Sequence, residues 1–207
     1  FNGRPIMPPG LPAGFWCIRF EGRIGKRRII GGQFDMRLSL PPGLTDRHAV
    51  PSDHPGIIAV MKDWWGGRDL TYMLPRLFLN HFSNTSFVVE KQQQLVAFLI
   101  GFMSPSLPEE GYIHFAGVDP RFQKQGIGSC LYHQFFRRCH EENRRRVRAC
   151  TSPVNKDSIA FHTRIGFSIS PGDSEVDGIP VTLDYNKPGD PKVLFEIALN
   201  ETVLKMG

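Results

Sequence analysis

The chain has 207 residues, 41% of them apolar and 22% charged, with a formal net charge of +5. Those values fit one folded domain with a substantial core, alone or with a tail, and exclude a disordered chain. The longest apolar run, residues 95–103, is too short to cross a bilayer as a helix.

The positive charge is unevenly placed. Residues 1–35 hold six Lys or Arg against Glu21 and Asp35, so four of the five net charges lie there. The rest is close to neutral, which argues against a body that binds nucleic acid. The same segment holds seven Gly and four Pro without sustained periodicity and reads as an irregular basic extension. It lacks the ordered regions of a secretory signal. Met36, the first methionine after it, is a candidate start of natural translation, which makes 36–207 the expected domain. Cys17, Cys130, Cys139 and Cys150 form no C-x-x-C pair and have no histidine at zinc-ligand spacing. Reduced thiols, no metal and a cytoplasmic setting are the expectation.

From Arg47 the pattern sharpens. A short strand over Arg47 to Val50 runs into Pro51-Ser52-Asp53, a helix-starting cluster. Ile57, Ile58, Met61, Trp64 and Trp65 recur at helical spacing until Gly66-Gly67. A second helix is expected near Tyr72 to Phe82, with Leu74, Leu77, Phe78 and His81 on one face. Ser86 to Glu90 and Gln94 to Ser104 read as strands joined by the polar turn Lys91-Gln92-Gln93. A further strand, Tyr112 to Val118, leads through Pro120 into a glycine-containing loop. The helix after it, about Ile127 to Glu142, carries the stripe Leu131, Tyr132, Phe135, Phe136 and Cys139. Arg146 to Thr151 is the next strand, and Asn155 caps a helix ending at Gly166. Gly166 to Ile169 and Lys192 to Leu199 close the order, with a long loop between them. The alternation predicts one mixed α/β domain.

The loop Val118-Asp119-Pro120-Arg121-Phe122-Gln123-Lys124-Gln125-Gly126-Ile127-Gly128-Ser129 carries the chemistry. A helix start presents unpaired N–H groups and the positive end of its dipole, which suit a pyrophosphate. Glycines let phosphate oxygens approach the main chain, and Arg121 and Lys124 add charge. Neither the Walker loop nor the dinucleotide fingerprint fits.

Gln123 to Gly128 matches Q/R-x-x-G-x-G/A, Ala116 to Pro120 precedes it, and Asn155 with Ser158 to Phe167 follows at the right distance. In these three segments, over about residues 46–200, the chain resembles the GNAT superfamily of N-acetyltransferases. The resemblance implies a mixed central sheet of about six to seven strands flanked by about four helices. It also implies acetyl transfer from acetyl-CoA to a primary amine by direct attack in a ternary complex. By the same resemblance Ala116, Gly117 and Val118 pair with the pantetheine arm. Gln123, Lys124, Gln125, Gly126, Ile127, Gly128 and Ser129 hold the pyrophosphate. Asn155 touches the pantetheine, acts as a plain helix cap, or does both.

His162 stands where many members carry a tyrosine that protonates the departing thiolate. It is either the donor here or an ordinary buried histidine. Strand alternation puts Tyr112, His114 and Ala116 on one face. Positions 112 and 114 align with histidines of serotonin acetyltransferase-like members, so Tyr112 and His114 are candidate catalytic residues, with His114 the base or a sheet histidine. Cys150, without an acid partner, reads as core packing. Trp64 and Trp65 cannot both face the core of a regular helix, so one is expected at the acceptor pocket. Tyr185, in the long loop, is a third candidate wall residue. The acceptor is a small-molecule or peptide amine, and homodimerisation is left open. Two alternatives stand beside this reading: a non-catalytic acyl-CoA-binding module, and a nucleic-acid-binding protein acting through residues 19–28.

Overall fold

The computed structural model describes residues 39–205. The basic extension of residues 1–35, the candidate start Met36 and Cys17 lie outside the described residues.

Strand β1 (Thr45–His48) leads into a one-turn helix, Pro51–Asp53, and then α1 (His54–Trp64). Asp53 fixes this entry. Its carboxylate accepts from the Val50 N–H at 2.8 Å and from both terminal nitrogens of Arg47 at 2.8 Å. The second expected helix is broken: a single turn covers Thr71–Met73, and α2 spans only Leu77–His81. Pro75 lies between them, and its missing N–H and ring prevent one continuous helix. The buried face is therefore Leu74 and Leu79, while Leu77 and His81 are exposed.

Next come β2 (Phe87–Lys91), β3 (Gln94–Met103), β4 (Glu110–Val118), α3 (Ile127–Glu141), β5 (Arg146–Thr151), α4 (Lys156–Arg164) and β6 (Ser168–Ile169). The stretch expected to be a loop contains a hairpin of β7 (Ser174–Val176) and β8 (Ile179–Val181). Asp177 and Gly178 make its turn with φ of 52° and 73°, the left-handed pair that two-residue hairpins require. After β9 (Val193–Ala198), a short α5 (Glu201–Lys205) follows.

Seven strands form one mixed sheet in the order β1-β2-β3-β4-β5-β9-β6; β4 and β5 are parallel and the other pairs antiparallel. Strand β3 reads as a continuous apolar run because both its faces are covered. Ala97 and Leu99 point into one cluster with Leu131, Phe135 and Phe136 of α3. Phe98 and Ile100 point into another with Ile57 and Met61 of α1. Helix α3 lies close to the sheet at Gly101, where a Cβ would stand 2.5 Å from the Phe135 ring.

Candidate active site

Strands β4 and β5 pair only from Glu110↔Arg146 to Ile113↔Ala149. Beyond that point β4 continues to Val118 against β3, reaching Ala97↔Val118, while its other edge has no strand partner among the described residues. Main-chain groups of Ala116, Gly117 and Val118 therefore face a gap in the sheet. Next to this gap lies a cleft of about 340 Å³. One side of its lining comes from Trp65, Arg68, Leu70, Tyr72 and Met73, between α1 and α2. Tyr132 of α3 and Asn155, Ser158 and His162 of α4 line it from the opposite face of the sheet. The cleft thus runs through the sheet where the strands part.

A β-bulge sits at the parting. Ile100 pairs with Phe115 and Gly101 with Ile113, leaving His114 without a partner on β3. The extra residue overturns the expected alternation. Tyr112, His114 and Phe115 all face the α1–α2 side, where Tyr112 stacks on Phe102, His114 on Phe78, and Phe115 meets Trp65. Ala116 turns to the α3 side and packs against its apolar cluster.

The His114 ring lies parallel to Phe78, 4.3 Å away, with its Nε2 2.8 Å from the Met73 carbonyl. A carbonyl only accepts, so Nε2 carries the proton and Nδ1 keeps the lone pair. Burial lowers the pKa of this histidine, opposed by the bond to Met73. It is therefore a neutral imidazole at pH 7. Tyr112 titrates well above its ordinary value, first through burial and then through Cys150 and Tyr185. Its phenol holds its proton. Tyr185 itself is exposed, with its N–H bonded to the Asp190 carbonyl at 3.2 Å. Burial also raises the Cys150 thiol, which is not a nucleophile primed as thiolate.

His162 is 5% exposed and lies parallel to Phe195 at 4.4 Å. Its Nδ1 donates to the Ser158 carbonyl at 2.8 Å, so its Nε2 is the acceptor for the Tyr132 hydroxyl at 3.0 Å. Burial brings its pKa down to about 4. The proton-bearing atom of the pair is therefore Tyr132 Oη, whose own pKa burial raises. Sequence reasoning assigned Tyr132 to the helix stripe. Its place four residues after Gly128 gave no sign that its hydroxyl meets position 162, because that contact joins two helices.

The glycine loop has the geometry of an anion cradle. Lys124 and Gly126 adopt φ of 61° and 84°, and a Cβ at Gly126 would meet none of the described residues within 4 Å. Among the described residues, no main-chain N–H from Lys124 to Ser129 donates to a protein acceptor; the first to do so is Cys130, to the Gly126 carbonyl at 3.0 Å. Gln123 Nε2 donates to the Val118 carbonyl at 3.2 Å, tying this loop to the end of β4. Asn155 caps α4, its side-chain oxygen accepting from the Ser158 N–H at 3.3 Å, and it also lines the cleft.

Both tryptophans reach the α1–α2 apolar cluster: Trp64 stacks on Phe98 at 5.9 Å, and Trp65 meets Phe98 at 6.3 Å and Phe115 at 5.0 Å. They share that side because Trp65 leaves helical geometry, with φ −108° and ψ 27°. Only Trp65 of the two lines the cleft.

Residues 55–167, more than half of the chain, match the Acetyltransferase (GNAT) family. The chain belongs to this family. No curated protein matches it in sequence. Among solved structures, Ard1 from Thermoplasma volcanium aligns with a TM-score of 0.63 at 22% identity, over 77% of this chain and 99% of that one. The yncA protein of Salmonella typhimurium, solved with its cofactor acetyl-CoA, aligns with 0.57 at 14% identity over 77% and 95%. Naa20 of Chaetomium thermophilum, in complex with a bisubstrate analogue, aligns with 0.58 at 18% identity over 75% and 86%. At these identities the likeness carries the GNAT fold, a mixed sheet between helices. Among the described residues, no helix is long and apolar enough to cross a membrane.

Proposed function

We propose that this GNAT protein moves an acetyl group from acetyl-CoA to a primary amine by direct attack in a ternary complex. The observation that carries the reading is the parting of β4 and β5 beyond Ile113 and Ala149, with a cleft open to both faces of the sheet. Two reactants entering from opposite faces can meet there, and holding them in line removes much of the entropic barrier.

The α3 side fits acetyl-CoA. The unpaired N–H groups of Lys124 to Ser129 and the open space at Gly126 suit a pyrophosphate. The edge of Ala116 to Val118 that no described strand covers suits an extended amide-bearing arm added like a strand, with Asn155 opposite and the Val118 carbonyl shared with Gln123 Nε2. When bound there, acetyl-CoA supplies a thioester, whose acyl carbon is electrophilic without further activation.

On the α1–α2 side, Trp65 and Tyr72 form a wall for the acceptor. His114 is fixed through Nε2–H and takes the amine proton on Nδ1, directly or through one water. Tyr112, holding its proton, acts beside it as a hydrogen-bond donor. On the other face, the Tyr132 Oη proton rests on His162 Nε2 in the free protein and turns to the departing sulfur as the C–S bond breaks. The proton that the amine gives to His114 returns to Oη through solvent. His162 acts through Tyr132 because its own Nε2 carries no proton.

The test is acetyl-CoA-dependent thiol release over a panel of small amines, polyamines, amino acids and peptides. Release above the amine-free rate with at least one acceptor is expected. A protein that binds acetyl-CoA but releases no thiol with any amine refutes catalysis and leaves the acyl-CoA-binding module.

A further inference from the structure

Among the described residues, four charged side chains line the cleft: Arg68, Lys187, Asp190 and Lys192. Asp190 is already neutralised: its carboxylate accepts from Lys192 Nζ at 2.5 Å and from Asn186 Nδ2 at 3.0 Å. Arg68 and Lys187 make no ion pair among the described residues; Arg68 gives only its Nε–H, to the Trp65 carbonyl at 3.1 Å. Of the acids within three positions of them, Asp69 and Asp184 do not line the cleft, while Asp190 does. Asp69 caps Thr71 through its N–H and hydroxyl, and Asp184 accepts from the Gly189 N–H. Both cleft histidines are neutral at pH 7 through burial. With Asp190 shared between Lys192 and, at longer range, Lys187, the described lining of the cleft keeps an excess of two positive charges.

Their place in the fold separates them from the glycine loop. Arg68 follows Trp65, whose ring packs on Phe98 and Phe115 on the α1–α2 side. Lys187 lies in the loop closed by the main-chain bonds between Thr182 and Lys192. The neighbouring Lys192 and Asp190 act on Cys150, which also interacts with Tyr112 on the α1–α2 side. The pyrophosphate cradle is on the opposite face. These cations therefore meet the acceptor rather than the phosphates.

We infer that the acceptor is a primary amine carrying a carboxylate close to the reacting nitrogen, recognised by Arg68 and Lys187. Polyamines and other polycations are disfavoured at the same mouth, because the one acid in its described lining, Asp190, already bonds Lys192 and Asn186. The carboxylate has two sources, the α-carboxylate of a free amino acid or the side chain of an acidic residue at a peptide N-terminus. This inference rests on the reading of the α1–α2 side as the acceptor site.

The experiment uses matched acceptors that differ only in carboxylate against carboxamide: glutamate against glutamine at a peptide N-terminus, and a free amino acid against its amide, with spermidine as the polycation. In the wild type, the carboxylate member of one pair should show the lower KM at similar kcat, and the pair that responds identifies the source. The expected preference is about fivefold per cation, the upper end for an exposed ion pair, and it should shrink with added salt. The double variant Arg68→Glu, Lys187→Glu should reverse it. Calorimetry with the N-acetylated carboxylate and carboxamide peptides and amino acids reads the same preference without catalysis. Equal KM values and equal binding within both pairs, or a preference that survives charge reversal, overturn the inference. If no amine is acetylated, the transferase reading fails separately. Calorimetry then still decides, with tighter carboxylate binding lost on charge reversal supporting the charge claim and equal binding refuting it.

Discussion

Replacing His162 with Phe tests the buried Ser158–His162–Tyr132 chain through stability as well as rate. In the folded state this imidazole titrates at about 4 instead of 6.5, because burial penalises its charge. By about pH 7.5, one unit above the unfolded value, neither folded nor unfolded chain holds much of the extra proton, so the group leaves stability nearly unchanged. As pH falls below 6.5 the unfolded state takes up a proton that the folded state resists, so stability is lost on acidification. Between pH 7.5 and pH 4.5 that difference amounts to about 2.5 kcal/mol. Phe keeps a ring against Phe195 but removes the acceptor of Tyr132 Oη, at a cost of about 1–3 kcal/mol. The variant should therefore be the less stable protein at pH 7.5, and the gap should close or reverse near pH 4.5. Urea unfolding of both proteins at the two pH values measures this, with the carboxylates common to both cancelling in the comparison. Parallel loss of stability in the two proteins refutes the buried, neutral imidazole. Kinetically, kcat should fall by about 10²-fold while the acceptor KM changes little.

Gly126→Val should weaken acetyl-CoA binding at least tenfold while the fold persists, since the new side chain enters the open space before α3 at a cost of ~1–2 kcal/mol for its left-handed backbone; unchanged affinity in a folded variant removes the pyrophosphate assignment. His114 is base-competent above a pKa that burial holds below 6.5, so kcat/KM should fall only on the acid side of that value. His114→Gln should abolish that acid limb and lower the rate by about 10²–10⁴-fold, with acetyl-CoA affinity preserved; a rate within threefold of wild type ends its role as base. Tyr132→Phe should slow transfer as much as His162→Phe, and the double variant should be no slower than either single one; additive losses contradict a shared proton path. A chain beginning at Met36 should turn over at the full-length rate per folded molecule, and a large fall would mean that the preceding residues help build the site.

Local signals in the sequence determined much of this protein. The turn chemistry at Gln123 to Ser129, the cap at Asn155, the apolar run of β3 and the strand Arg146 to Thr151 depend on neighbours in the chain. They appear in the structure where their residues put them. Pro75 and the Asp177-Gly178 turn were equally legible signals. They show that the broken α2 and the β7–β8 hairpin follow from sequence once these residues are given their weight. Other features were decided by contacts between segments far apart in the chain. The bulge at His114 exists only as a register shift against Ile100 and Gly101, and it alone puts His114 and Phe115 on one side. The direction of the Tyr132–His162 hydrogen bond depends on which carbonyl Nδ1 meets, here that of Ser158 one helical turn away. Arg68 and Lys187 are 119 positions apart and read separately as ordinary surface charges. Packing of the α1–α2 connection and the β8–β9 loop at one cleft brings them together with Lys192 against a single acid, Asp190, because periodicity fixes which face a residue takes but not what stands across from it.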